Sequence, residues 1–425
     1  MKNTRQLQNC MQEIATVMAP LQEQLKSNRK FVHTLLHIFS AVSDFRYRGK
    51  IKYELENILC ICLLLAMRGK FTSFYNAAIF IKVRAPYFRK LQLIEGNNIP
   101  SHDTLRRIFM YLDADELRDV MLSKIKSIIY KITKPSANEA KVKLLCGDGK
   151  TFNGSGRKHS KHNINVFNLL DASASVCLAA EPLVDKDSEI PVFQRLLSLY
   201  KLKGTIVTAD ALHCQRKTLE IITARGGLYA MHVKDNQAEL KQHIIDVLRL
   251  KRDKCKTFFF NDCEYTIFIL DYVAQEADFP GAKAFIHMCS HKRKAQADYA
   301  PDEHYFISSS DNAQLIMEAL DNRWCIEGDL HWWKDTFLKE DSCTFTDKNA
   351  VKVMATFNNI TYALYKLASA IFDDSCMAET RIRFEECPEQ MLAKLVPLME
   401  KQNLTTLLKQ NLRGRKKGNA TTSQS

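Results

Sequence analysis

A change of hydrophobic period near residue 135 constrains this chain more than any other feature. Before it, apolar residues recur at three- and four-residue spacing, as in Phe31, Leu35, Leu36 and Phe39, then Leu55, Ile58, Leu59 and Cys62. That spacing is the mark of helices with one face in a core. A helix start follows Pro100, where Ser101 can cap a stripe of Leu105, Ile108, Phe109 and Leu112. Residues Lys134 to Asn138 read as a linker. Beyond it the pattern becomes strand-like. Val142 to Gly147, Ile164 to Leu170 and Val176 to Leu183 are apolar, β-branched-rich runs that predict a three-stranded antiparallel meander. A helix pattern from Val192 to Leu202, a buried strand from Thr205 to Thr208, a helix from Gln215 to Ala224 and a strand from Leu228 to Val233 follow. Three strands, then helix–strand–helix–strand, make an α/β mixed sheet with crossover connections. Further strand-like runs occupy 256–310, and helical patterns run from Asn312 to Phe337 and from Ala350 to Ile371. The expected organisation is an all-helical domain over 1–135, an α/β domain over 140–412 and a basic, disordered tail over 413–425.

The charge is divided along the same lines. The 425 residues carry 61 Lys+Arg against 48 Asp+Glu, a net of +13. Residues 1–140 are net +10, the last 25 are net +6, and the centre is slightly acidic at −3. Such a balance favours a polyanionic partner. It fits basic ends that hold phosphates and a centre that gathers carboxylates for metal-assisted chemistry; solvated charged faces are the plainer reading. Thirteen scattered cysteines include no CxxC pair, so no zinc ribbon or redox motif is signalled and reduced thiols are expected. The longest apolar run, Ile58 to Met67, is about half of the roughly 20 residues that cross a bilayer. No signal-peptide core opens the chain. A soluble intracellular protein, away from membranes, is the expectation.

Three acids sit where catalytic carboxylates commonly sit. Asp148 follows the first central strand in Cys146-Gly147-Asp148-Gly149-Lys150, and Asp210 closes the buried strand Ile206-Val207-Thr208-Ala209. A polar residue at the end of an apolar strand lies at the rim of the sheet, where sites assemble. Glu327 belongs to a helical stretch in which α spacing would put Arg323, Glu327, His331 and Lys334 on one face. Each acid alone is more simply a turn cap or a surface charge; their joint placement carries the argument. Trp332 and Trp333 could stack on a displaced base, but packing is the expected role of helix tryptophans, and His331 is expected to be structural. A zinc site at His159 and His162 is rejected because no cysteines complete it.

These residues also carry a resemblance. Asp148-Gly149-Lys150-Thr151, Lys186-Asp187-Ser188-Glu189-Ile190-Pro191 and Thr208-Ala209-Asp210-Ala211-Leu212-His213-Cys214-Gln215 look like the ISAs1 family of bacterial insertion-sequence transposases. Lys234-Asp235-Asn236-Gln237, Trp324-Cys325-Ile326-Glu327 with Leu330-His331-Trp332, and Glu340-Asp341 continue it in order. Ile99-Pro100-Ser101-His102-Asp103-Thr104 resembles the domain associated with that family. The match covers roughly residues 35–370. It implies a DDE transposase related to the IS4-type enzymes, and to H-repeat-associated proteins, with an RNase H-like core and a mainly β insertion at about 240–311. Asp148, Asp210 and Glu327 would then be the catalytic and metal-binding triad. Two departures stand out: Arg323 replaces the usual histidine before the helix tryptophan, and Leu320 replaces the tyrosine of the IS4-type signature. The Arg323, Glu327, Lys334 spacing is kept.

The resemblance implies a bacterial, cytoplasmic, nucleoid-associated enzyme that nicks double-stranded DNA at the element's terminal inverted repeats and transfers the strand to target DNA. Three carboxylates can hold two Mg²⁺ or Mn²⁺ ions about 3.5–4 Å apart, since hard cations prefer oxygen ligands. Lys334 and Arg323 are candidate phosphate contacts. Lys150 and the loop residues Arg157 and Lys158 are candidates beside Asp148, and Arg106 and Arg107 on the helix after Ser101. Joining two ends makes a homodimer on DNA the expectation. Two rivals use the same residues: an inactive DNA-binding protein derived from a transposase, and an RNase H-like nuclease that never joins strands.

Overall fold

The computed structural model describes residues 29–132, 142–156, 163–183, 188–270, 279–290, 302–372, 374–384 and 388–400. The expected linker at 134–138, the loop residues Arg157 and Lys158, and the tail at 413–425 lie outside them. The chain forms two compact units. One comprises Met1–Leu105, Glu116–Lys134 and Ile360–Ser425; the other comprises Arg106–Asp115 and Pro135–Asn359.

The first unit is helical where it is described. Its apolar block becomes the helix Leu55–Met67, with eleven of its thirteen residues buried. A helix that is apolar on every side belongs in the middle of a core, and Phe31, Leu35, Phe39, Phe88, Met121 and Tyr365 are among the buried residues of this unit. The Tyr365 hydroxyl donates to the Met67 carbonyl at 3.3 Å, and Arg68 pairs with Glu389. Ser101 caps as expected, its Oγ accepting from the Thr104 amide at 3.3 Å. Among the described residues no helix is long and apolar enough to cross a membrane.

The second unit is built on a nine-stranded mixed sheet, ordered β3-β2-β1-β4-β5-β9-β8-β7-β6. The strands β1 (Lys143–Phe152), β2 (Ile164–Asp171) and β3 (Val176–Pro182) form the predicted antiparallel meander. β4 (Thr205–Ala209) pairs parallel to β1, and β5 (Leu228–Val233) parallel to β4. The helices Glu189–Leu199 and Arg216–Ala224 make the crossovers. This is the RNase H-like arrangement that the resemblance implied. β6 (Lys256–Phe260), β7 (Cys263–Ile269), β8 (Ala284–Ser290) and β9 (Asp302–Ser308) are antiparallel, and β9 joins β5 to extend one continuous sheet.

Three local expectations need correction. β1 does not end at Gly147 but stays paired with β2 as far as Phe152 opposite Ile164. Glycines that look like strand breakers are here places where a neighbour approaches closely. The stretch read as a mainly β insertion also holds a helix, Ala238–Leu250, ahead of its strands. The helical pattern from Asn312 to Phe337 is not one helix. It breaks into an α-helix Ala313–Asp321, a 3₁₀ turn Asn322–Trp324, a π-helix Ile326–His331 and a short α-helix Trp332–Thr336.

Candidate active site

The two-residue period of β1 divides Cys146-Gly147-Asp148-Gly149-Lys150 between the faces of the sheet. Gly147 and Gly149 face the helix Glu189–Leu199. A Cβ at Gly147 would sit 2.7 Å from the Phe193 ring and 2.8 Å from Phe167, and one at Gly149 would sit 2.9 Å from the Glu189 carboxylate. Only glycine lets that helix lie so close. Asp148 and Lys150 turn to the opposite face, towards the segment 322–341. β1 and β4 run in parallel with Gly147 opposite Ala209 as their last pair. Asp148 and Asp210 are therefore the next residues on two adjacent strands, which brings together two acids 62 positions apart in sequence.

Asp148 is pushed up to about 7, first by burial, then by the negative charges of Glu327, Glu189 and Asp210. A carboxyl surrounded by other carboxyls holds its proton because two like charges in poor solvent repel. Its Oδ2 lies 3.4 Å from Nδ1 of buried His331. The tautomer of that histidine follows from its other neighbour. The amide oxygen of Asn168 accepts from the Lys334 ammonium at 3.4 Å, so the Asn168 NH₂ is the end that meets His331 Nε2 at 3.3 Å. Nε2 must then accept, the ring proton sits on Nδ1, and it is directed at Asp148. Burial, with the charges of Lys334 and Lys150, holds His331 well below its ordinary range and so uncharged.

Asp210 has the opposite environment. It faces His232 Nδ1 at 3.4 Å and accepts from Lys234 Nζ at 2.9 Å. The His232 contact, Lys234 and the Ala211 backbone hold it far below the usual carboxylate range, against the effect of burial. Burial also presses His232 down to about 4, so the ring is neutral at physiological pH. Two neighbouring aspartates thus titrate in opposite directions by environment alone, and the histidine beside each is uncharged.

Glu327 lies in the π-helix with its side chain exposed, and its charge reaches both Asp148 and Arg323. π-turns are uncommon and recur at functional sites. Arg323 is only 4% exposed, with Nη1 4.0 Å from Asp210 and its guanidinium 3.9 Å from the centre of the Trp324 ring. Its Nε and Nη2 are buried without a hydrogen-bond partner among the described residues. Trp333 is buried as expected, whereas Trp332 is half exposed, with its ring set edge-on against Phe337.

The lysines expected to reach DNA are used differently. Lys334 is fully buried, its ammonium 3.2 Å from Glu340, which is also buried. Lys150 is 8% exposed and is surrounded by Asp335 at 2.6 Å, Asp341 at 3.1 Å and Glu340 at 3.8 Å. Both ammonium groups are buried against carboxylates, Lys150 tying the turn at 340–341 to β1, and neither is presented at the surface. Arg106 and Arg107 do lie exposed on the helix His102–Tyr111.

Sequence reading passed over Glu189. It opens a crossover helix, raises Asp148 and bonds to His213 Nε2 at 3.0 Å, with His213 buried between Phe167 and Phe193. Its position two residues before a proline in the same motif as Lys186 and Asp187 was the available signal. The donor set suits a divalent cation, for crowded carboxylate oxygens are the ligands such ions prefer and their mutual repulsion is what a cation would relieve. Among the described residues, no three ligand-type side chains already stand at coordinating distance. Asp148 and Asp210 are turned instead to His331 and to Lys234 and His232.

Residues 132–364 match the family model described as "Transposase DDE domain", and residues 36–123 match the model "DDE_Tnp_1-associated". The chain is 23% identical over 346 residues to "Putative protein YbfL" of Escherichia coli (strain K12), covering 77% of this chain and 88% of that one. It is 22% identical over 346 residues to "H repeat-associated putative transposase YhhI" of the same strain, with the same coverage. To "Putative transposase YncI" of Escherichia coli O157:H7 it is 26% identical over 352 residues, 79% of this chain and 88% of that one. Among solved structures, the piggyBac transposase synaptic complex with hairpin DNA aligns with a TM-score of 0.41 and 12% identity, over 92% of this chain and 82% of that chain. A family model that covers more than half of the residues, including all three acids, shows that this chain belongs to the DDE-domain transposase family.

Proposed function

We propose that this chain is a DNA transposase that nicks double-stranded DNA at the ends of an insertion sequence of ISAs1 type and joins those ends to target DNA, with Asp148, Asp210 and Glu327 as its catalytic carboxylates. The observation that carries the reading is the adjacency of Asp148 and Asp210 on parallel strands, with Glu327 close enough to raise Asp148. The same three residues would hold two Mg²⁺ or Mn²⁺ ions, which when bound would neutralise charge on the attacking and leaving oxygens of a phosphodiester.

The chain's own residues prepare that chemistry. His331, oriented through Asn168, gives Asp148 a fixed direction. Lys234 keeps Asp210 ionised at Oδ1. Arg323 carries two buried N–H groups in want of an acceptor, which a phosphate oxygen at the site would satisfy by charge-assisted hydrogen bonds. Arg106 and Arg107, exposed on the helix His102–Tyr111, would meet backbone phosphates. The helical unit would bind DNA, two copies of the chain would pair two ends, and the enzyme would work in the bacterial cytoplasm at the nucleoid.

The test is single-turnover nicking and joining on DNA that carries the element's own ends. Asp148→Asn, Asp210→Asn and Glu327→Gln should each abolish nicking while end binding persists. Wild-type activity in any of the three would refute the assignment. Supplying pre-cut ends separates a transposase, which joins them, from a nuclease, which does not.

A further inference from the structure

We infer that the segment 45–53 of the helical unit is a binding site for the phosphate backbone of duplex DNA, with Arg48, Lys50 and Lys52 as its phosphate contacts and Tyr47 as its apolar flat. The inference rests on the transposase reading above and assigns part of its DNA contact to a surface remote in sequence from the carboxylates.

Phe45-Arg46-Tyr47-Arg48-Gly49-Lys50-Ile51-Lys52-Tyr53 contains four cations and no carboxylate. The four are not equivalent. Arg46 is held by Asp44 through two side-chain contacts of 2.8 and 2.7 Å, which cancels its charge locally. Arg48, Lys50 and Lys52 are exposed, and among the described residues no carboxylate pairs with them. Solvated lysines are common, but here the backbone that carries them is fixed. The Lys50 amide donates to the Tyr47 carbonyl at 2.9 Å and the Ile51 amide to Arg48 at 3.3 Å, closing a 3₁₀ turn over Arg48–Lys50. The Tyr53 hydroxyl anchors the far end on the Ile99 carbonyl at 3.0 Å. Arg48 and Lys50 on this turn, and Lys52 two residues beyond it with its ammonium 5.8 Å from the centre of the Tyr53 ring, lose little backbone entropy when they meet a partner.

The aromatic residues point the same way. Tyr47 is 77% exposed and Phe45 45% exposed, although large rings are normally withdrawn from water. The Tyr47 ring lies along Gly49, where an added Cβ would come within 3.0 Å of ring carbon Cε1. The ring is thus held on the surface against the cationic turn, with an apolar face for deoxyribose and a hydroxyl for a phosphate oxygen. Contacts of this kind position DNA without reading its sequence, so the occupant to test is duplex of random sequence.

The experiment is fluorescence anisotropy of the full chain with such a duplex, in EDTA, across a series of salt concentrations. Each phosphate neutralised adds about 0.9 to the slope of log affinity against log salt. Arg48→Gln/Lys50→Gln/Lys52→Gln should therefore lower the magnitude of that slope by about 3 and weaken binding at low salt by tenfold or more. Tyr47→Ala should weaken binding without altering the slope. Amide exchange of the wild-type protein supplies a measurement that needs no variant: residues 45–53 should gain protection when duplex is added. An unchanged slope in a folded triple variant, or no protection there, overturns the assignment of this segment while the transposase reading stands. Absence of salt-dependent duplex binding by the wild-type chain would instead defeat that reading itself.

Discussion

At the scale of single residues, the site is a contrast between two aspartates. Asp148 is buried and feels the charges of Glu327 and Glu189, whereas Asp210 is held down by His232 and Lys234, and this difference has a measurable consequence in metal-free protein. A carboxyl raised to about 7 binds its proton more tightly folded than unfolded, so its favourable contribution is complete below the ordinary carboxylate range and is lost as pH rises through 7. Asp148→Asn, which has no proton to lose, should become steadily more stable relative to wild type between pH 5 and pH 8 in EDTA. Thermal melts of the two proteins across that range check it; a constant difference would mean that Asp148 is not raised. Asp148 and Asp210 could be picked from the sequence because each closes an apolar run. Glu189 could not, since its role comes from lying across a glycine in another strand.

At the scale of elements, the segment 322–341 decides which groups share the pocket. An ideal helix would have set Arg323, Glu327, His331 and Lys334 in one row. The 3₁₀ turn and the π-helix instead leave Glu327 exposed and carry Lys334 into the interior. Its burial depends on Glu340, which also accepts from Asn358 at 2.9 Å. Removing one member of a buried pair leaves an uncompensated charge and costs about 3–5 kcal/mol. Glu340→Gln should therefore destabilise the protein by about that amount, and adding Lys334→Met should recover part of the loss because the stranded charge is gone. Chemical denaturation of the two variants measures both effects. Sequence spacing alone read Lys334 and Lys150 as DNA contacts, since nothing local reveals that carboxylates from 335–341 close over them. The long β1 was missed for a similar reason: Gly147 and Gly149 look like breaks until the helix Glu189–Leu199 is seen against them.

At the scale of the whole molecule, the proposed reaction requires a cation that binds the folded chain and not the unfolded one. Such a ligand stabilises by mass action, by about 2.7 kcal/mol at a hundred times its dissociation constant. Mn²⁺ or Mg²⁺ should thus raise the melting temperature of the wild-type chain and leave that of an Asp148→Asn/Asp210→Asn/Glu327→Gln variant unmoved. An equal response in the two proteins would place the cation elsewhere. Although the structure groups Ile360–Ser425 with the helical unit and Arg106–Asp115 with the sheet unit, the sequence by itself carried the change of period near residue 135, the antiparallel-then-parallel order of the first five strands, and the candidacy of the three acids. Those are properties of hydrophobic period and of residues at strand ends, and both are written locally along the chain. Tertiary structure alone decided which charges are free and which are sealed, the tautomer of His331, the π-helix under Glu327 and the place of Glu189. Each of these depends on groups brought together from distant positions, where burial and neighbouring charge set the chemistry of a side chain more strongly than its own type does.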